Sequence, residues 1–167
     1  MAIDRRMWRR CRRIVEGLTI PTPFAPAPFI AALASQRGRP VELVPMAGRS
    51  GHCGALVSTD QADYIFYSAS TTQLHREHIL LHEVGHLLCG HIGDTTLDIL
   101  PKLLLPSLSS ELVRRVLGRS DYSAEQEQEA ELVASMIAQR AHRRSGSSVS
   151  PEFADGLARL GSVFDTP

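Results

Sequence analysis

No apolar run in this 167-residue chain approaches the roughly 20 residues that a membrane-spanning helix needs. A disulfide framework is excluded as well. Cys11, Cys53 and Cys89 are odd in number and far apart, a usage that fits a reducing cytoplasm. Net charge is absent, since 18 basic residues balance 18 acidic ones. Overall electrostatics therefore gives no reason to expect nucleic acid or an anionic membrane as the main partner. No secretory leader is expected, because the basic N-terminus runs into Pro21, Pro23, Pro26 and Pro28 where a signal sequence would place its apolar centre. There are no internal repeats. The length suits one domain over 1–167 with its own core: a helical segment over 1–40, a central unit over 41–143, and a flexible joint with a last helix over 144–167. The expectation is a soluble, cytoplasmic protein.

What is present is unevenly spread. Arg5, Arg6, Arg9, Arg10, Arg12 and Arg13 crowd the N-terminus, and Glu125, Glu127, Glu129 and Glu131 crowd a later segment. The plain reading of the arginines is a solvated helix face. The sharper one is contact with an acidic partner or a nucleic-acid backbone, although no recognition-helix pattern supports a DNA-contacting regulator.

Periodicity places the elements. Met7, Trp8, Cys11, Ile14, Val15 and Leu18 recur at helical spacing after Asp4, a candidate N-cap, and Gly17 ends that helix. A short helix is expected over 29–36, stopped by Gly38. VELVPM (41–46), CGALVST (53–59) and DYIFYS (63–68) then read as strands, the last two close enough for a hairpin. Helical spacing returns from Thr72 to Gly90. A further helix is expected over 107–117, and another from Ser123, which forms a capping box with Gln126, to about His142; a last one covers 152–163. The fold expected is α+β: a small sheet of about three strands packed against two long helices, with additional N- and C-terminal helices.

The first of those long helices carries HREHILLHEVGHLLCGH, which holds five of the seven histidines. At its centre stands HEVGH. Residues i and i+4 share one helix face, so His82 and His86 can converge two imidazoles on one metal ion. Glu83 sits about 100° around the helix, placed to take a proton from an attacking water rather than to bind the ion. The bare motif arises by chance too often to decide the matter. Its context adds weight, because Ile79, Leu80, Leu81, Leu87 and Leu88 would bury it, and buried histidines need partners or a metal. Gly85 keeps one flank slim enough for a strand or a substrate backbone. His78 lies too far along the axis from His86 to share an ion, and reads as a surface residue or as one that orients a ligand. Cys89 reads as a small core residue, with a thiolate ligand left open. A second motif extending to His91 would need Gly at 89 and His at 92, where the chain has Cys89 and Ile92; His91 reads as a cap of the helix C-terminus.

The third ligand must then come from the other long helix. Ala130, Val133, Ala134, Ile137, Ala138 and Ala141 share a face, and Glu127 falls within that apolar stripe. A carboxylate there is costly unless a metal takes it up. Glu127 is therefore the expected ligand, with Glu131 beside it as support or substitute. Glu125 and Glu129 point away and read as acids favouring the helix dipole.

At these residues the sequence resembles the ImmA/IrrE family of zinc metallo-endopeptidases. The resemblance rests on EHILLHEVGHLLCGH followed by EQEAELVASMI and spans about 40–140. Glu131 and Val133 stand where the family commonly has Asn and Phe. The resemblance implies a zincin-like domain with zinc held by His82, His86 and Glu127, and Glu83 as general base. It also implies a protein substrate, such as a helix-turn-helix repressor or antitoxin-like protein in stress, mobile-element or toxin–antitoxin regulation. With no room for a sensor or DNA-binding domain, the chain reads as a minimal protease whose target docks on the arginine-rich helix. An extended peptide would pair with DYIFYS, where Tyr64 or Tyr67 could reach the oxyanion. The competing reading is a non-catalytic module in which zinc staples two helices and regulates such a repressor by binding. A closed shell of four protein ligands, completed by Cys89 or His78, would mark it.

Overall fold

A computed structural model describes residues 4–46, 54–59, 61–91 and 122–145. Cys53, the helices expected over 107–117 and 152–163, and the joint after Ser145 lie outside them. Among the described residues the chain is mixed α+β, with four helices and a three-stranded open sheet. In order these are α1 (Arg5–Glu16), α2 (Pro26–Arg37), β1 (Val41–Met46), β2 (Gly54–Ser58), β3 (Asp63–Ser68), α3 (Gln73–Cys89) and α4 (Ala124–Ser145). No helix among them is long and apolar enough to cross a membrane.

α3 is the central element. It lies between β2 and β3 on one side and α4 on the other, and α1 packs on α4 and reaches the end of α3 through Arg10. A single apolar cluster joins Cys11 and Val15 of α1, Phe29 and Leu33 of α2, Leu56 and Ile65 of the sheet, Leu80 and Val84 of α3, and Val133 and Ile137 of α4. The expected apolar face of α1 is the one that packs, with Met7, Trp8 and Ile14 lining its edge. Asp4 stands at the N-cap position, but its side chain makes no capping bond. α2 begins three residues earlier than expected, at Pro26, because proline's fixed φ and missing N–H suit a helix's first position. Gly38 ends it at a φ of +64°.

β2 and β3 form the expected hairpin, from Gly54 opposite Tyr67 to Ser58 opposite Asp63. Thr59 Oγ1 closes the loop by accepting from the backbone N–H of Gln61 (3.2 Å) and of Ala62 (3.0 Å). β1 pairs in parallel with the other side of β3, giving the order β1-β3-β2. DYIFYS is thus the central strand with both edges occupied, and a docking peptide cannot add to it. The strand with one unpaired edge beside α3, among the described residues, is β2.

Asp63 ties these pieces together. It is 2% exposed, and it accepts from Arg37 Nη1 at 2.8 Å and from Arg39 Nε at 3.1 Å. Arg39 also donates to the Thr59 and Ala62 carbonyls, so one carboxylate joins the end of α2, the lead into β1 and the hairpin. Burial pushes the Asp63 carboxyl up, but hydrogen bonds from Arg37, Ser58 and Arg39 outweigh it and hold it below its ordinary 3.8. A depressed pKa stabilises the fold above the unfolded value, and that contribution is lost as pH falls through the folded one. Asp63→Asn should therefore cost about 2–3 kcal/mol at pH 7, and the gap from wild type should narrow below about pH 4. Urea denaturation at pH 7 and pH 3 measures both; a gap that does not change with pH would contradict this role.

Candidate metal centre

Thr72 starts α3 by accepting from the N–H of His75 at 3.3 Å, and Gly90 stops it at a φ of +72°. Between these caps His82 and His86 stand one turn apart with their rings edge to face, centroids 4.8 Å apart. α4 starts on the predicted capping box. Ser123 Oγ accepts from the Gln126 N–H at 3.2 Å, and the Gln126 side chain accepts in return from the Ser123 N–H at 2.9 Å. This places Glu127 and Glu131 on successive turns facing the two histidines.

Three atoms converge. His82 Nε2 is 3.1 Å from His86 Nε2 and 3.2 Å from Glu127 Oε2, and His86 Nε2 is 3.8 Å from that same oxygen. Ligands on a tetrahedral ion with bonds near 2 Å stand about 3.3 Å apart, so the spacing fits. The donor set fits as well. Two imidazole nitrogens and a carboxylate oxygen are all electron-pair donors of the kind that a divalent cation takes, and the three together could hold one. Burial, with His82 and His91 nearby, lowers the His86 pKa to about 3, which keeps its ring neutral as a metal ligand must be. Burial also pulls His82 down, but the hydrogen bond to Glu131 and the charges of Glu83, Glu127 and Glu131 prevail and raise it.

The outer nitrogens are held too. His82 Nδ1 faces Glu131 Oε2 at 3.3 Å, and Glu131 is steadied by His78 Nε2 at 3.4 Å and by Ser135 Oγ, which donates at 3.5 Å. Glu131 thus contacts the outer nitrogen of His82 and lies outside the converging group, and His78 contacts Glu131. Behind His86, Nδ1 lies 3.0 Å from His91 Nδ1, and His91 Nε2 lies 3.0 Å from Glu129 Oε2.

Glu83 stands apart from the cluster. It is 6% exposed, and its Oε2 has no hydrogen-bond partner. Burial pushes its pKa up to about 7; His82 opposes this and Glu127 adds to it. Gly54 makes the space, because a Cβ there would lie 2.5 Å from Glu83 Oε1 and 2.7 Å from Ile79 Cγ2.

Several expectations are corrected. Glu127 is not buried in the apolar stripe: its side chain is 48% exposed, in the first turn of α4 before the packing closes over it. Glu129, read as an acid favouring the helix dipole, is buried and bound to His91 and to Arg10 Nη1, the latter at 3.2 Å. His91 does not cap the helix end with its side chain; its ring turns inward. Gly85 admits neither strand nor substrate but the backbone of α4, since a Cβ there would lie 2.9 Å from Ala130 Cα and closer still to its carbonyl oxygen. Cys89 is buried and belongs to a second group with His91 and Glu129, away from the His82 cluster. Tyr122, which the sequence reading passed over, stacks on His86 with centroids 3.8 Å apart and planes 17° apart. Its hydroxyl is buried without a partner, and burial beside Glu83 and Glu127 raises its pKa. Its only signal in the sequence is its place just before the Ser123 cap.

No protein-family model matches the chain, and no curated protein matches it.

Two substitutions test this geometry. Gly85→Ala in an open helix would stabilise by about 1 kcal/mol; here it should cost about 1–3 kcal/mol and weaken metal uptake, because α4 must move away. A stabilised Gly85→Ala would contradict the close crossing. Glu127→Ala should weaken metal binding more than about 100-fold by chelator competition, and unchanged affinity would move the third ligand elsewhere.

Proposed function

We propose that the chain is a zinc-dependent endopeptidase of the ImmA/IrrE kind, with a zincin-like arrangement of α3, α4 and the sheet. The observation that carries this reading is the pairing of two features. Three candidate ligand atoms converge, and beside them stands a buried carboxylate, Glu83, whose Oε2 has no hydrogen-bond partner. A structural site has no use for the second feature. His78 is committed to Glu131, and Cys89 lies in another group. Among the described residues neither closes a shell of four protein ligands, and the non-catalytic staple loses its mark.

His82 and His86 would hold zinc through Nε2 and Glu127 through Oε2. When bound, zinc polarises a substrate carbonyl and acidifies water. The rest falls to the chain. Glu83, with a pKa near neutrality, takes the proton from the attacking water and returns it to the leaving amine. Tyr122, rather than Tyr64 or Tyr67, is the hydroxyl placed to donate to the developing oxyanion, since its O–H is buried at the site and unsatisfied. An extended peptide adds to the edge of β2, which begins at Gly54 against Glu83. The substrate is a specific protein, a helix-turn-helix repressor or antitoxin-like partner, that meets the exposed arginines of α1.

Glu83→Gln tests the catalytic reading. Zinc content should stay near wild type, while cleavage of helix-turn-helix repressors encoded near the gene, read by mass spectrometry, falls by at least about 100-fold. Loss of zinc together with cleavage would favour the structural staple.

A further inference from the structure

His91, Glu129 and Arg10 lie outside the ligand triad, yet they are assembled behind it with as much order as the ligands themselves. The assembly begins with the way α3 ends. Gly90 takes the left-handed turn, the N–H of His91 donates to the His86 carbonyl at 3.0 Å, and the N–H of Gly90 donates to the Leu87 carbonyl at 3.4 Å. This pair of bonds ordinarily brings together two apolar side chains, one before and one after the stop. Here the two are His86 and His91, buried and joined Nδ1 to Nδ1 at 3.0 Å. Glu129 Oε2 lies 3.0 Å from the other nitrogen of His91. Arg10 Nη1 reaches Glu129 Oε1 at 3.2 Å, and Arg10 Nη2 donates to the Cys89 carbonyl at 3.0 Å.

We propose that Glu129, acting through His91, fixes His86 in the tautomer that carries its proton on Nδ1 and leaves the Nε2 lone pair facing the metal. The inference rests on His82, His86 and Glu127 being a metal centre. The proton count follows from the donor types. A carboxylate can only accept, so His91 carries its proton on Nε2 and gives it to Glu129. A neutral His91 then offers a lone pair at Nδ1, and only a proton on His86 Nδ1 can meet it. That leaves His86 Nε2 bare, as metal binding requires. Had His91 carried its proton on Nδ1, His86 would have to accept there and carry a proton on Nε2, which blocks the site. Arg10 meets the charge of Glu129 at 3.2 Å.

Cys89, His91 and Glu129 also lie close enough to hold a metal of their own. The Arg10 guanidinium, set against both Glu129 and the Cys89 carbonyl, already puts a positive charge in that group and opposes a second cation. Glu129 and His91 are thus positioning residues.

The test is nitrogen-15 NMR of the histidines in metal-free protein. Wild type should show His86 protonated on Nδ1 and His91 on Nε2. In Glu129→Gln the amide oxygen is drawn to Arg10, and the NH₂ faces His91 Nε2. Both rings should then reverse, and zinc affinity by chelator competition should fall about 10–100-fold. Glu129→Asp, which keeps the acceptor, should retain the wild-type tautomers. A wild-type His86 protonated on Nε2 overturns the proposal without any variant having to fold. So does a Glu129→Gln protein that loses zinc while its tautomers stay as in wild type, or one whose affinity stays within about twofold of it. So does zinc bound at Cys89, His91 and Glu129. If wild type and Glu127→Ala alike take up no zinc, the metal reading fails, while the tautomer assignment is still decided by the wild-type spectrum.

Discussion

The closeness with which α4 crosses α3 at Gly85 governs everything at the site. With no side chain at Gly85, the backbone of Ala130 rests directly on the helix that carries both histidines. Glu127 lies three residues before that contact point and Glu131 one after it, so the crossing delivers one carboxylate to Nε2 of His82 and the other to its Nδ1. Helices held apart by larger residues pack at 8–10 Å, and at such a separation short acidic side chains would not span the gap with the same geometry. A packing requirement in the core thus fixes distances in the chemistry.

A second feature is the division between the two histidines, whose rings are held, and Glu83, whose Oε2 is not. Each histidine of the pair has its inner nitrogen turned to the cluster and its outer nitrogen bound, His82 by Glu131 and His86 by His91. Rings fixed at both ends do not swing, which is how a site keeps its shape before an ion arrives. Glu83 and Tyr122 are the exceptions, each with a buried polar atom left unpaired. Buried polar groups cost stability unless they are bonded, and the proposed substrate would offer a partner to each of these two.

Much of this could be read from the residues alone, and what could not has physical causes. The elements were legible because periodicity and caps are local properties: Gly38, Gly90 and the Ser123–Gln126 box stand where their signals put them. His82 and His86 followed from helix spacing. Glu127 was placed beside the two histidines by a wrong argument. A helical wheel gives angle but not depth, and Glu127 lies at the right angle in a turn that projects past the core. Glu129 was missed for a related reason. The wheel assumed one buried face, whereas α4 is packed by α3 on one side and α1 on another, and Arg10 of α1 makes the burial of Glu129 tolerable. The β2–β3 hairpin was legible from its short break, whereas the parallel pairing of β1 with β3 was not, since the sequence between them carries no register. The inward turn of His91 could have been found, because a residue following a left-handed glycine stop folds back on the last turn of its helix.

The measurement that bears most directly on the central claim is anomalous diffraction at the zinc edge from crystals of the metal-loaded protein. One ion bonded to Nε2 of His82, Nε2 of His86 and the Glu127 carboxylate, with its remaining position filled by solvent, is the result this account predicts. An ion with sulfur in its shell, or one coordinated only by protein atoms on all four sides, would contradict it.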